Sequence, residues 1–165
     1  MHSIPDTIEK HAVLRAPRER VWRAISEARQ FGAWFGVEFD SEFAAGARLA
    51  GKIVPTQADP VIAKLQEPYT GFPFEFHVEQ IDPMRLFSFR WHPFAVDRDA
   101  DYSAEPMTLV EFRLEDAGED TRLTIRESGF DLIPAARRGQ AYMANDGGWA
   151  HQIKLVEKYL GLFPA

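Results

Sequence analysis

The chain has 165 residues, 45% hydrophobic and 27% charged, with a net charge of −6 and no cysteine. That length suits one domain, expected to span residues 1–165, with a core large enough to stand without metal or disulfide staples. The missing cysteines exclude a disulfide scaffold, a thiolate metal centre and a cysteine nucleophile, and the acidic balance argues against a nucleic-acid partner.

In chain order, Ile8 to Arg15 reads as a strand. Pro17 then suits the first turn of a helix running to about Ala28, with Val21, Ile25 and Ala28 on one face and Glu19 favourably placed in the first turn. A second short helix or turn covers Gln30 to Phe35, punctuated by Gly32 and Gly36. Val37 to Phe43 alternates as a strand, Ala44-Ala45-Gly46 turns, and Arg48 to Val54 is a further strand. Pro55 to Thr70, with three prolines, fits no element.

Phe72 to Ile81 alternates, with Phe74, Phe76 and Val78 on one face and Glu75, His77 and Glu79 on the other. Arg85 to His92 sets Phe87, Phe89 and Trp91 together and Ser88, Arg90 and His92 opposite. Pro93 to Pro106 is a long loop, with an acidic stretch from Asp97 to Glu105 that either is solvated or lids a cavity mouth. Thr108 to Glu115 and Thr121 to Ser128 alternate again, the last carrying Glu127 onto the face of Leu123 and Ile125. From about Pro134 to Leu160 the period becomes helical, a helix about 40 Å long with Tyr142, Trp149, Ile153, Val156 and Leu160 in one stripe. Gly147-Gly148 should weaken that helix, or let it approach the sheet or bend. Consecutive strands with segregated helices give an α+β fold: an antiparallel sheet of about six or seven strands, with two short helices after the first strand and the long C-terminal helix covering its apolar face.

Several pieces of the chain carry a family resemblance. They are Ala16-Pro17-Arg18-Glu19-Arg20-Val21-Trp22-Arg23-Ala24-Ile25, the Trp34-Phe35 pair, Arg122-Leu123-Thr124-Ile125-Arg126-Glu127-Ser128-Gly129-Phe130, and Gly147-Gly148-Trp149 running into Leu155 and Tyr159-Leu160. The chain resembles the SRPBCC superfamily, the START-like or birch-pollen-allergen-like helix-grip fold. Within it, it resembles the branch of homologues of the activator of the ninety-kilodalton heat-shock protein's ATPase. The resemblance implies a curved sheet wrapped around the C-terminal helix and a ligand cavity between them, with Trp34 and Phe35 where the short helices close one mouth. Family members include ligand carriers, polyketide cyclases and hydrolases. The eukaryotic activators of the branch carry an additional N-terminal domain for which 165 residues leave no room, which argues against a stress-related chaperone-interaction role.

Phe74, Phe76, Phe87, Phe89, Trp91 and Phe112 from the strands, with Tyr142, Trp149 and Ile153 from the helix, are the candidate lining of such a cavity, and they can equally fill the core. Glu127 is the sharpest polar feature. An inward carboxylate is costly unless it is paired, so it is a candidate ligand-binding group or general base, or it reaches water or an arginine at the strand end. Glu127→Gln is expected to alter ligand affinity more than stability. Asn145 and Asp146 flank the helix stripe, and either could aim a polar group inward.

His2, His11, His77, His92 and His151 form no metal motif, and neither a nucleophile elbow, a P-loop nor a dinucleotide fingerprint is present, so no metal or cofactor is expected. No apolar run approaches the length of a membrane span, and no secretory signal is visible at Met1-His2-Ser3-Ile4-Pro5, which points to the cytoplasm. The expected function is binding of a small hydrophobic or amphipathic ligand. The alternative is an enzyme of cyclase or hydrolase type acting on an aromatic or polyketide-like substrate in the same cavity. The oligomeric state stays open between monomer and dimer.

Overall fold

The structure, a computed structural model, describes residues 4–97 and 99–165; His2 lies outside them. Seven strands form one antiparallel sheet: β1 (Thr7–Leu14), β2 (Val37–Phe39), β3 (Arg48–Ile53), β4 (Pro73–Asp82), β5 (Leu86–Trp91), β6 (Thr108–Ala117) and β7 (Asp120–Ser128), in spatial order β1-β7-β6-β5-β4-β3-β2. Helices α1 (Arg18–Ser26) and α2 (Ala28–Phe35) link β1 to β2, α3 (Pro60–Gln66) lies between β3 and β4, and α4 (Ala135–Leu162) closes the chain. Helix α4 packs on β1, α2 and α1. This is the α+β helix-grip arrangement, with Glu127 of β7 paired to Ile8 of β1 on one side and to Val110 of β6 on the other.

Local chemistry explains most boundaries. Gly36 closes α2 in the left-handed conformation at φ 95°, where glycine is favoured. A β-carbon on Gly32 would sit 2.0 Å from the Val37 carbonyl oxygen, so only glycine lets α2 lie so close to β2.

Two expectations are corrected. Strand β2 ends at Phe39 rather than Phe43, because its pairing with β3 stops at Phe39 opposite Gly51; the Phe43 ring still enters the core, stacked 4.7 Å from Phe87. The unassigned stretch from Pro55 to Thr70 contains α3. Its signal is Asp59, whose carboxylate accepts the amides of Val61 at 2.8 Å and Ile62 at 3.2 Å, followed by Pro60 in the first turn. Helix α3 buries no residue, so it shows no apolar stripe for a periodicity argument to find.

Gly147 and Gly148 leave α4 continuous, and nothing lies within 4 Å of a β-carbon placed at either. Close approach to the sheet is therefore not their role. Among the described residues no helix is long and apolar enough to cross a membrane.

Candidate functional site

Glu127 sits at the seam between sheet and helix. Alternation along β7 turns it inward, and it is 0% exposed. Four side chains from three directions converge on its carboxyl. The indole of Trp91 donates to Oε2 at 2.8 Å and the Thr108 hydroxyl to the same oxygen at 2.5 Å, while the indole of Trp149 donates to Oε1 at 2.8 Å. The Asn145 amide reaches Oε1 at 2.9 Å and Oε2 at 3.2 Å. Burial pushes the carboxyl above its usual range, and the hydrogen bonds from Thr108, Trp91, Trp149 and Asn145 pull the other way. The two indoles and the amide NH2 can only donate, so this cage is built for an acceptor.

Beside that cage the inner face is solid. Phe31 of α2 points into the middle of the sheet, its ring 4.7 Å from Trp34, 5.7 Å from Phe76 and 5.6 Å from Phe112. Phe76 and Phe89 stack at 3.8 Å. Trp34, Phe76, Phe87, Phe89 and Phe112 are all fully buried. Such rings pack at crystal-like density and leave no room for a guest.

The open volume lies to one side of this core, at the end of β4 and β5. A cavity of about 450 Å³ is bounded by Ala50, Gly51 and Ile53 of β3, by Phe74 and Trp91, by His92, Phe94 and Tyr102 of the following loop, and by Asn145 of α4. A smaller space of about 100 Å³, between Phe35, Trp91, Asn145, Trp149 and Gln152, adjoins it through Trp91 and Asn145. Those two residues are also Glu127 donors, so they form a wall between the cavity and the buried carboxyl.

Arg137 ties the loop over the cavity to α4. The Arg137 guanidinium donates to Glu105 at 2.9 Å and to the Phe94 carbonyl at 3.1 Å, and lies 4.7 Å from the Tyr102 ring centre. Phe94 is held at φ 50°, a left-handed conformation that a bulky residue rarely takes. His92 is half-buried, and its Nδ1 is buried without a hydrogen-bond partner among the described residues. Burial lowers the His92 pKa against the pull of Glu105, which favours the neutral ring.

The predicted site residues thus separate into groups. Glu127, Trp91, Asn145 and Trp149 meet at the cage; Phe74, Trp91 and Asn145 line the larger cavity, and Phe35, Trp91, Asn145 and Trp149 the smaller. Phe76, Phe87, Phe89 and Phe112 belong to the solid core and border neither space. Trp34 closes no mouth: it is fully buried, with its indole donating to the Ala24 carbonyl at 2.9 Å. Tyr142 turns away, its hydroxyl donating to the Thr7 carbonyl at 3.2 Å and its ring against Phe130. Ile153 is core and borders neither space, and Asp146 pairs with Lys10 on the surface at 2.9 Å.

His92 is the main correction. Strand alternation put it on the polar face, but β5 ends at Trp91, so His92 follows the loop and joins the cavity wall. Sequence reasoning also missed Thr108 and the loop rings Phe94 and Tyr102. For Thr108 the signal was available, since it opens a strand that pairs with β7, whereas loop residues carry no periodicity to read. Among the described residues no group of three or more His, Asp or Glu could hold a metal ion.

A curved antiparallel sheet gripping a long C-terminal helix, with a caged carboxyl at their seam and an apolar cavity at one end, defines a helix-grip domain. The family described as "Activator of Hsp90 ATPase homolog 1-like protein" matches residues 15–161, and the chain belongs to it. No curated protein is detectably similar in sequence. Among solved structures, a protein of Mesorhizobium loti aligns over 95% of this chain and 98% of its own, at 21% identity and TM-score 0.68. A protein of Arthrobacter aurescens aligns over 94% and 86%, at 20% identity and TM-score 0.72. DynU16, a protein of the dynemicin biosynthetic locus, aligns over 96% of this chain at 21% identity and TM-score 0.66, and this chain spans 48% of its length. At these identities the likeness is one of fold.

Proposed function

We propose that the protein binds a small apolar or amphipathic molecule in the cavity bounded by Phe74, Trp91, His92, Phe94, Tyr102 and Asn145. The observation that carries this reading is the cavity's composition. Its volume of about 450 Å³ falls within the range of small-molecule sites, and its walls are mostly apolar, with several aromatic rings and a few polar groups among them. Trp91 and Asn145 would present the ligand with side chains already oriented by Glu127, so that the polar end of the wall is rigid before the ligand arrives. The cysteine-free composition suits action in the cytoplasm.

The cyclase or hydrolase alternative would need the Glu127 carboxyl to reach a reacting atom. With both oxygens engaged by four donors and fully buried, Glu127 is better placed to orient than to transfer a proton. The chaperone-interaction reading rests on the family description alone.

The test is chemical. Protein purified under native conditions and extracted into organic solvent is expected to release a bound small molecule detectable by mass spectrometry. Titrated naphthalene, used as an apolar probe, is expected to shift the amide NMR signals of Phe74, Trp91, Phe94 and Tyr102. An empty extract together with unmoved signals would end this reading.

A further inference from the structure

We infer that Asn145 sets the hydrogen-bond polarity of the cavity wall: its side-chain oxygen accepts from the guest, so the site selects a flat, apolar molecule that carries an N–H or O–H donor. The inference rests on the binding role proposed above and adds the chemistry of the guest.

The first observation is how the Asn145 amide is held. Its Nδ2 lies 2.9 Å from Oε1 and 3.2 Å from Oε2 of Glu127. The indoles of Trp91 and Trp149 donate to different oxygens of the same carboxyl. That carboxyl is the acceptor of the cage, so the amide turns its NH2 toward it. A planar amide with its nitrogen on Glu127 carries its oxygen on the far side.

The second observation is that this oxygen is open and unspent. Asn145 is partly exposed and borders both the larger cavity and the smaller space beside Trp149. Among the described residues its Oδ1 has no hydrogen-bond partner. It is not shut away from solvent, in contrast to the Nδ1 of His92 and the Oε1 of Gln152, which are buried and unpartnered in the same walls.

The third observation is what a guest meets there. An open acceptor is hydrated until a guest covers it. A guest without a donor strips that water and leaves the oxygen unmet, whereas an N–H or O–H replaces the lost bond. The amide cannot turn over to offer its NH2 instead, because its oxygen would then face the Glu127 carboxyl. Two other polar groups border the cavity and impose no such choice. The Glu75 side chain is 42% exposed, so water replaces a bond lost there. The Tyr102 hydroxyl accepts from the Asp97 amide at 3.1 Å and keeps a proton to donate. Phe74 and Trp91 would hold the flat remainder by stacking and edge contacts.

Indole and benzofuran test this, because both are neutral and of one shape and they differ in an N–H against a ring oxygen. Each is titrated into the full chain at neutral pH and followed by amide NMR. The wild-type protein should bind indole about threefold to tenfold more tightly, the span of one net hydrogen bond. Asn145→Leu, close in size, should bring the ratio to about one, and Asn145→Ala serves where the leucine disturbs the cage. A second readout needs no variant. The Asn145 side-chain NH2, held on the buried carboxyl, should exchange slowly with solvent, and its Cγ signal should move further with indole than with benzofuran. A merely structural Asn145 would leave the ratio and the Cγ response unmoved. Equal binding of the two probes by wild type, an indole preference that survives the loss of Oδ1, or rapid exchange of the NH2 overturns the role of Asn145. Failure of indole, benzofuran and naphthalene alike to bind wild-type protein would overturn the binding function itself.

Discussion

Between Phe76, Phe89 and Phe112 the inner face of the sheet is closed, while a few residues away, around Phe74 and Trp91, it is open, although the strands alternate rings in the same way through both regions. What differs is the cover. Phe31 and Trp34 of α2 drop onto the first region and fill it. Over the second, Phe35 of α2 and Asn145 and Trp149 of α4 reach only the margin, and the rest of the cover is the loop after β5, which Arg137 ties to α4. Identical ring patterns on a sheet therefore give core or cavity according to what lies above them.

The largest test of that contrast is Phe89→Ala. It removes a fully buried ring stacked at 3.8 Å on Phe76, and a loss of about 3–5 kcal/mol in urea unfolding is expected. Phe74→Ala, at the half-buried open end, should cost well under half as much, because less area leaves water there. Equal losses at the two positions would show that the open end is packed like the core.

Glu127→Gln comes next. An amide in the cage turns an NH2 toward groups that only donate, so a loss of about 1–3 kcal/mol is expected. The cage therefore makes this substitution a matter of stability as well as affinity, more than the lone inward carboxylate of the sequence implied. The loss should depend on pH. The folded-state pKa of Glu127 is raised, so its stabilising contribution is fully present below the unfolded value near 4.5 and fades as pH rises through the folded value. The stability gap between wild type and Glu127→Gln should accordingly narrow as pH rises from 4.5 toward neutrality, and a gap that widens would contradict the direction of the shift.

The smallest expected effect concerns α4. Gly147→Ala adds a methyl group where nothing lies within 4 Å, in a continuous helix, and should stabilise by about 0.5–1 kcal/mol in thermal unfolding. A loss of stability there would mean that the glycine pair has a role in bending the helix over the cavity.

The contrast between the two regions also marks how far the sequence could be read. Period-two alternation from Phe72 to Ser128 and the helical stripe after Pro134 were enough for an antiparallel sheet gripping a C-terminal helix, because each pattern places one continuous apolar face. Strand phase alone also put Glu127 inside and on the face of Trp91. The phase of α4 left Asn145 and Asp146 equivalent, and only packing sent one to Glu127 and the other to Lys10. Helix α3 escaped notice because it buries nothing, although its cap at Asp59-Pro60 was written in the chain.

The chain's own pattern determined the elements, their order and the inward face of each strand, since these follow from local spacing. Tertiary structure alone decided which rings became core and which became cavity wall, that Thr108 completes the Glu127 cage, and that His92 leaves its strand to face the open space. Those outcomes depend on contacts between segments far apart in the chain, and on a loop whose path Arg137 sets, and neither leaves a periodic trace in the sequence.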